Sequence, residues 1–109
     1  MTTTDDIVIE FSDSDGKVAA WVSLPGRAMF WSDGRFERGE AFGVHEDVFR
    51  HVEEASRRFQ ADAGDAELAE LVRAWRELNE RFEIRERGRS RPLADVGLHL
   101  DGDRATVRY

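Results

Sequence analysis

Residues 7–24 read IVIEFSDSDGKVAAWVSL, and the pairing of its two ends decides the architecture. Two apolar runs, Ile7–Phe11 and Val18–Leu24, flank the polar connection Ser12–Lys17. Asp15-Gly16 suits a two-residue type I′ loop, because both central positions of that turn need φ > 0. Such a loop sets Phe11 opposite Ala20, Ile9 opposite Val22 and Ile7 opposite Leu24. Directly opposed residues share a face, so all six apolar side chains collect on one side. Turn chemistry and hydrophobic pattern agree, and the chain is expected to open as an antiparallel hairpin.

The next aromatic-rich stretch, Met29–Phe42, reads MFWSDGRFERGEAF. Asp33-Gly34 as a second two-residue loop pairs Trp31 with Phe36 and Met29 with Arg38. Pro25-Gly26 fits a type II turn. If that connection preserves parity, Met29 and Trp31 join Ala20 and Val22 on the core side, together with Phe36. Phe30 then lies beside Trp21 on the opposite face, with Val8 near; an odd-length connection reverses the assignment. The Trp21/Phe30 patch is expected either to be covered by a C-terminal segment or Arg stems, or to meet another chain.

Beyond Gly43 the period changes. Glu46 and Asp47 suit a first helical turn, and Val48, Val52, Ala55 and Phe59 recur at helical spacing. Ala61-Asp-Ala-Gly64 breaks the pattern, and Asp65 is a natural N-cap. Leu68, Leu71, Trp75, Leu78 and Phe82 then step 3, 4, 3, 4, an a/d seam. This predicts a helix to about Arg87, roughly 30 Å long, that outruns its neighbour. Its seam packs on the sheet, or its overhang around Leu78 and Phe82 meets a second copy.

The chain closes with Val96–Leu100 and Arg104–Tyr109 around a Gly102-Asp103 loop, which pairs Leu100 with Ala105, Leu98 with Val107 and Val96 with Tyr109. The other face of that hairpin carries His99, Thr106, Arg104 and Arg108. The expected fold is α+β: an antiparallel sheet made of an N-terminal meander of three or four strands plus a C-terminal hairpin, with an antiparallel two-helix hairpin on one face. Residues 1–6 read as a frayed tail and 7–109 as a single domain.

Composition narrows the function classes. The chain has 109 residues, a net charge of −7 and no cysteine, which removes disulfides, thiol catalysis and Cys-based zinc sites. An acidic balance weighs against non-specific nucleic-acid binding, which needs many Lys and Arg contacts to phosphate. No apolar run approaches the roughly 20 residues of a membrane helix, and the first residues lack the form of a secretory signal. A cytoplasmic location is the expectation. Asp47 and His51 stand one helical turn apart and could touch one ion, but no second histidine follows at that spacing and no HExxH occurs, so a solvated pair is expected and no metal. No GxSxG, GxGxxG or P-loop is present, and no cofactor is expected.

The expected function is therefore a small non-enzymatic binding or regulatory protein working through protein–protein contacts, as an accessory subunit or an inhibitor of antitoxin or immunity type. Its partner surface is Trp21 and Phe30 with the basic run Arg85, Arg87, Arg89 and Arg91, which otherwise is a solvated helix end. A homodimer would use Trp21, Phe30, Leu78 and Phe82. Two other classes compete: a small-ligand binder or enzyme with a pocket lined by Trp31, Trp75 and Phe36 and edged by His or Arg, and a structural subunit of a larger assembly. Convergent polar groups with shifted pKa values would favour the pocket; an exposed Trp21/Phe30 patch would favour a protein partner.

Overall fold

A computed structural model of the chain describes residues 7–26 and 31–109. Its strands are β1 (Ile7–Ser12), β2 (Val18–Leu24), β3 (Ser32–Arg38), β4 (Glu83–Glu86), β5 (Gly97–Asp101) and β6 (Arg104–Arg108). They form one antiparallel sheet in the order β4-β1-β2-β3-β6-β5. Helices α1 (Glu46–Ala61) and α2 (Asp65–Arg81), entered through a 3-10 turn at Gly43–His45, pack as a pair on one face. This is the expected α+β fold.

The first hairpin has the expected pairs, Phe11 with Ala20, Ile9 with Val22 and Ile7 with Leu24, but reaches them by another route. Asp13 closes the loop: its main-chain N–H donates to Lys17 O at 2.9 Å, and its carboxylate accepts from the N–H groups of Asp15 (2.9 Å) and Lys17 (3.0 Å). Gly16 stands at φ 78°. The loop thus has one residue more than the expected Asp15-Gly16 turn. The ladder pairs Ser12 with Val18 and then Phe11 with Ala20, so a bulge at Ala19 absorbs the extra residue. Ala19 and Ala20 are consequently both buried.

The second expected hairpin does not form. Asp33-Gly34 lies inside the continuous strand β3, whose residues pair with β2 on one side and β6 on the other. Gly34 serves close approach rather than a turn: a Cβ there would sit 2.3 Å from Ser23 O and 2.6 Å from Leu24 Cδ2. Because β3 runs straight through, odd and even positions point to opposite faces. Phe36 belongs to the core as expected, whereas Trp31 falls on the far side, half-buried. Met29 and Phe30 lie outside the described residues.

The end of α2 is a further correction. After Phe82 the seam would need apolar residues near 85 and 89 and finds Arg85 and Arg89, while Phe82 and Ile84 are buried in alternation with exposed Glu83. The period has switched from helix to strand, and β4 pairs with β1, setting Ile84 opposite Phe11. The two helices span 16 and 17 residues, so there is no overhang. Gly64 is the cap of α2, and Asp65 opens its first turn.

The core is aromatic at its centre. Phe49 of α1 stacks on Phe82 at 5.2 Å, meets Phe36 at 5.4 Å and meets Phe11 edge-on at 5.9 Å. Around it pack Ile9, Val22, Leu24, Val48, Val52, Leu71, Leu78, Leu98 and Val107.

Both sheet edges are covered. At β4, Leu93 N–H donates to Ile84 O at 2.7 Å. At β5, helix side chains bond the outward main-chain groups. Trp75 Nε1 donates to Leu98 O (2.7 Å), Leu100 N–H donates to Ser56 Oγ (3.3 Å), and Asn79 both accepts from Val96 N–H and donates to Val96 O (2.9 Å each). The helices therefore grip the β5 edge, and Trp75 and Phe59 reach past it to the far face.

Candidate functional site

The registers arrange the far face in rows. Glu10, Trp21 and Glu37 form one, continued by Arg85 on β4. Ser23, Arg35, Arg104 and Asp101 form the next, followed by Asp33, Thr106 and His99. Last comes Gly97 opposite Arg108, whose guanidinium lies 5.4 Å from the centre of the Trp31 ring.

The first row holds Trp21 and Arg85 of the expected partner surface; Phe30 lies outside the described residues. Trp21 is half-buried, and its Nε1 donates to Glu10 Oε2 at 3.3 Å. Arg87 donates to the same carboxylate at 2.9 Å. Arg85 bonds Glu83 and the carbonyl of Ser90, and Arg89 pairs with Glu86 at 3.3 Å. Arg91 is exposed. The basic run is thus strand β4 and its following turn rather than a helix end. Leu78 and Phe82, expected at a dimer seam, are 0% and 5% exposed within this one chain.

The second and third rows floor an open groove of about 830 Å³. A smaller hollow of about 330 Å³ shares His99, Gln60 and Thr106 with it and adds Trp31 and Phe59. The two make one trough, apolar at one end and charged at the other.

At the apolar end His99 is caged by rings: Trp31 at 4.9 Å, Trp75 edge-on at 5.6 Å and Phe59 stacked at 6.4 Å. Gly97 makes room for the cage, since a Cβ would stand 3.0 Å from the Trp31 ring. Burial pushes the His99 imidazole pKa below its usual value, so the ring is neutral at neutral pH. Its Nδ1 is buried with no hydrogen-bond partner among the described residues. The nearest hydroxyl in register, Thr106 Oγ1, donates to Asp33 at 2.8 Å and not to the imidazole, so the two are not set as nucleophile and base.

At the charged end Arg35 and Arg104 stand directly opposite one another. Like charges in that position repel, and neither forms an ion pair among the described residues. Asp101, across from Arg104, is held instead by Arg57 at 3.1 Å.

The other histidines serve structure. His45 bridges Asp13 and Arg81 at 3.2 Å each, tying the first hairpin loop to the helices. His51 sits between Glu70 (2.5 Å) and Glu77 (3.2 Å) of α2, and these carboxylates, Glu70 foremost, raise its pKa. It is not joined with Asp47, which pairs with Arg81. Among the described residues no three His, Asp or Glu side chains converge on a metal position, and no helix is long and apolar enough to cross a membrane.

The expected pocket residues Trp31 and Trp75 do meet, 5.8 Å apart, but on the far face rather than between sheet and helices, and without Phe36. Arg35 escaped the sequence reading because the supposed Asp33-Gly34 turn removed it from a strand that could meet Arg104. His99, Arg104 and Thr106 share one face of the closing hairpin, as the alternation of that hairpin predicts. No family model matches this chain, nor does any curated protein or solved structure.

Proposed function

We propose that this chain is a non-enzymatic binding domain, and that the trough across β3, β6 and β5 receives a small ligand. The observation that carries this reading is the place of the caged His99, which lines both hollows, between the aromatic side chains of one and the polar side chains of the other. Binding sites combine an apolar wall with a few convergent polar groups in this way, in volumes of roughly 300–1,000 Å³. In the competing protein-contact reading the surface is Trp21 with the β4 arginines, where the Trp21 N–H and Arg87 both bond Glu10.

A fragment screen followed by amide shifts in ¹H–¹⁵N spectra tests the reading. Hits are expected to move Asp33–Arg35, His99–Asp101 and Arg104–Thr106 together. Hits confined to the Leu68/Val72 side of α2, where those residues are 44% and 39% exposed, would replace it with a helix-borne interface.

A further inference from the structure

Resting on that reading of the trough, we propose that its ligand carries a flat apolar ring and an anionic group, a carboxylate or a phosphate, with Arg35 and Arg104 holding the anion and the Trp31/Phe59 end holding the ring. Three observations converge.

The first is the uncompensated arginine pair. Arg35 and Arg104, like Arg38, Arg58, Arg76, Arg91 and Arg108, have no carboxylate ion pair among the described residues, but of these only Arg35 and Arg104 are set directly opposite one another, across β3 and β6. Two facing guanidinium groups repel unless an anion lies between them, and their planar donors match carboxylate and phosphate oxygens. Three carboxylates also line the groove, and none forms an ion pair with either arginine: Asp33 accepts from Thr106, Asp101 accepts from Arg57, and Glu37 stands in the neighbouring row beside Trp21.

The second is the aromatic end. Trp31 and Phe59 flank His99, and the hollow they line joins the larger groove at His99, Gln60 and Thr106. A flat ring there would meet the faces and edges of aromatic side chains, the geometry such rings favour. A neutral imidazole adds a site for one hydrogen bond without adding charge.

The third is spacing. Arg104 and Thr106 are two residues apart on β6 and share a face, which places the arginine row about 7 Å along the strands from the Thr106–His99 row. A ring bearing an anion through one or two linking atoms spans that distance.

The test titrates the full chain with phenyl phosphate, phenylacetate, inorganic phosphate and benzyl alcohol at low ionic strength, read by calorimetry and by the Arg Nε–H and His99 ring resonances. Phenyl phosphate and phenylacetate are expected to bind at least about tenfold tighter than benzyl alcohol or inorganic phosphate, as one charged hydrogen-bonding site would give. The tighter of the two identifies the anion. Arg35→Gln with Arg104→Gln should reduce that binding about tenfold or more and leave benzyl alcohol unchanged; Arg104→Lys should fall between. Benzyl alcohol binding the trough as tightly as the anions, or a double variant with unchanged affinity, would overturn the anion assignment while leaving the trough as a binding site. No probe shifting His99 or Trp31 at millimolar concentration would overturn both.

Discussion

Trp75 Nε1 donates to the main-chain carbonyl of Leu98 at 2.7 Å, so one indole both closes the edge of β5 and forms a wall of the His99 cage. Trp75→Phe keeps a ring but leaves that carbonyl without its donor, at an expected cost of about 1–3 kcal/mol. Trp75→Ala also empties the space between α2 and β5 and should cost about 3–5 kcal/mol. Urea unfolding of the two variants checks the ordering. A Trp75→Ala loss below about 1 kcal/mol would reject the packing of α2 on this edge.

The path of β3 has its own check at Gly34. A Cβ at this position meets main-chain and Leu24 atoms, so Gly34→Ala should cost about 1–3 kcal/mol or more as the two strands are forced apart. Gly26→Ala, with nothing within 4 Å, is expected to change stability by no more than about 0.5 kcal/mol. Equal effects in thermal melts would show that residues 33 and 34 turn instead of running through the sheet.

His51 and His99 give opposite pH dependences. The pKa of His51 is raised, first by its bond to Glu70, so its contribution is complete below about pH 6.5 and is lost as pH rises through the folded-state value. Glu70 is held below its ordinary carboxylate value, first by His51, so its part is present above that ordinary value and is lost on further acidification. His99 is depressed by burial, and its neutral form becomes a liability as pH falls below about 6.5. Melting temperatures across pH should therefore show His51→Gln flattening the decline above neutrality, and His99→Leu flattening the decline below it. Coincident profiles for both variants and the parent would contradict the two assignments.

The facing arginines make a prediction about stability as well as binding. Arg35→Gln removes a like-charge contact and breaks no ion pair, so the chain should be unchanged or more stable by up to about 1 kcal/mol. A loss of more than about 1 kcal/mol in denaturant melts would mean that Arg35 holds the sheet together.

Much of the fold is legible in residues 96–109, where apolar alternation and the Gly102-Asp103 loop both give Leu98 with Val107. It is legible too in residues 7–24, where the alternation gives Ile9 with Val22, although the loop is one residue longer than its Asp-Gly pair suggests and a bulge restores the register. What misled was glycine's double use: Asp33-Gly34 has the composition of a turn, yet the glycine is there because β2 passes too close for a side chain. That single residue carried Trp31 to the wrong face and hid Arg35. The end of α2 was lost for a similar reason, since Phe82 fits both the helical seam and the alternation of β4, and only pairing with β1 decides between them. The site was half visible: His99, Thr106 and Arg104 shared a strand face in sequence, but the trough needs β3 beside β6 and the reach of Trp75 and Phe59 over an edge, which are tertiary facts.

An experimental structure of the chain with phenyl phosphate tests the central claim most directly. The phosphate should lie between the guanidinium groups of Arg35 and Arg104, with the phenyl ring turned toward Trp31, Phe59 and His99. A phosphate bound by Arg76 or Arg108 in the hollow beside Val72 and Asn79, with the trough across β3, β6 and β5 left to solvent, would contradict it.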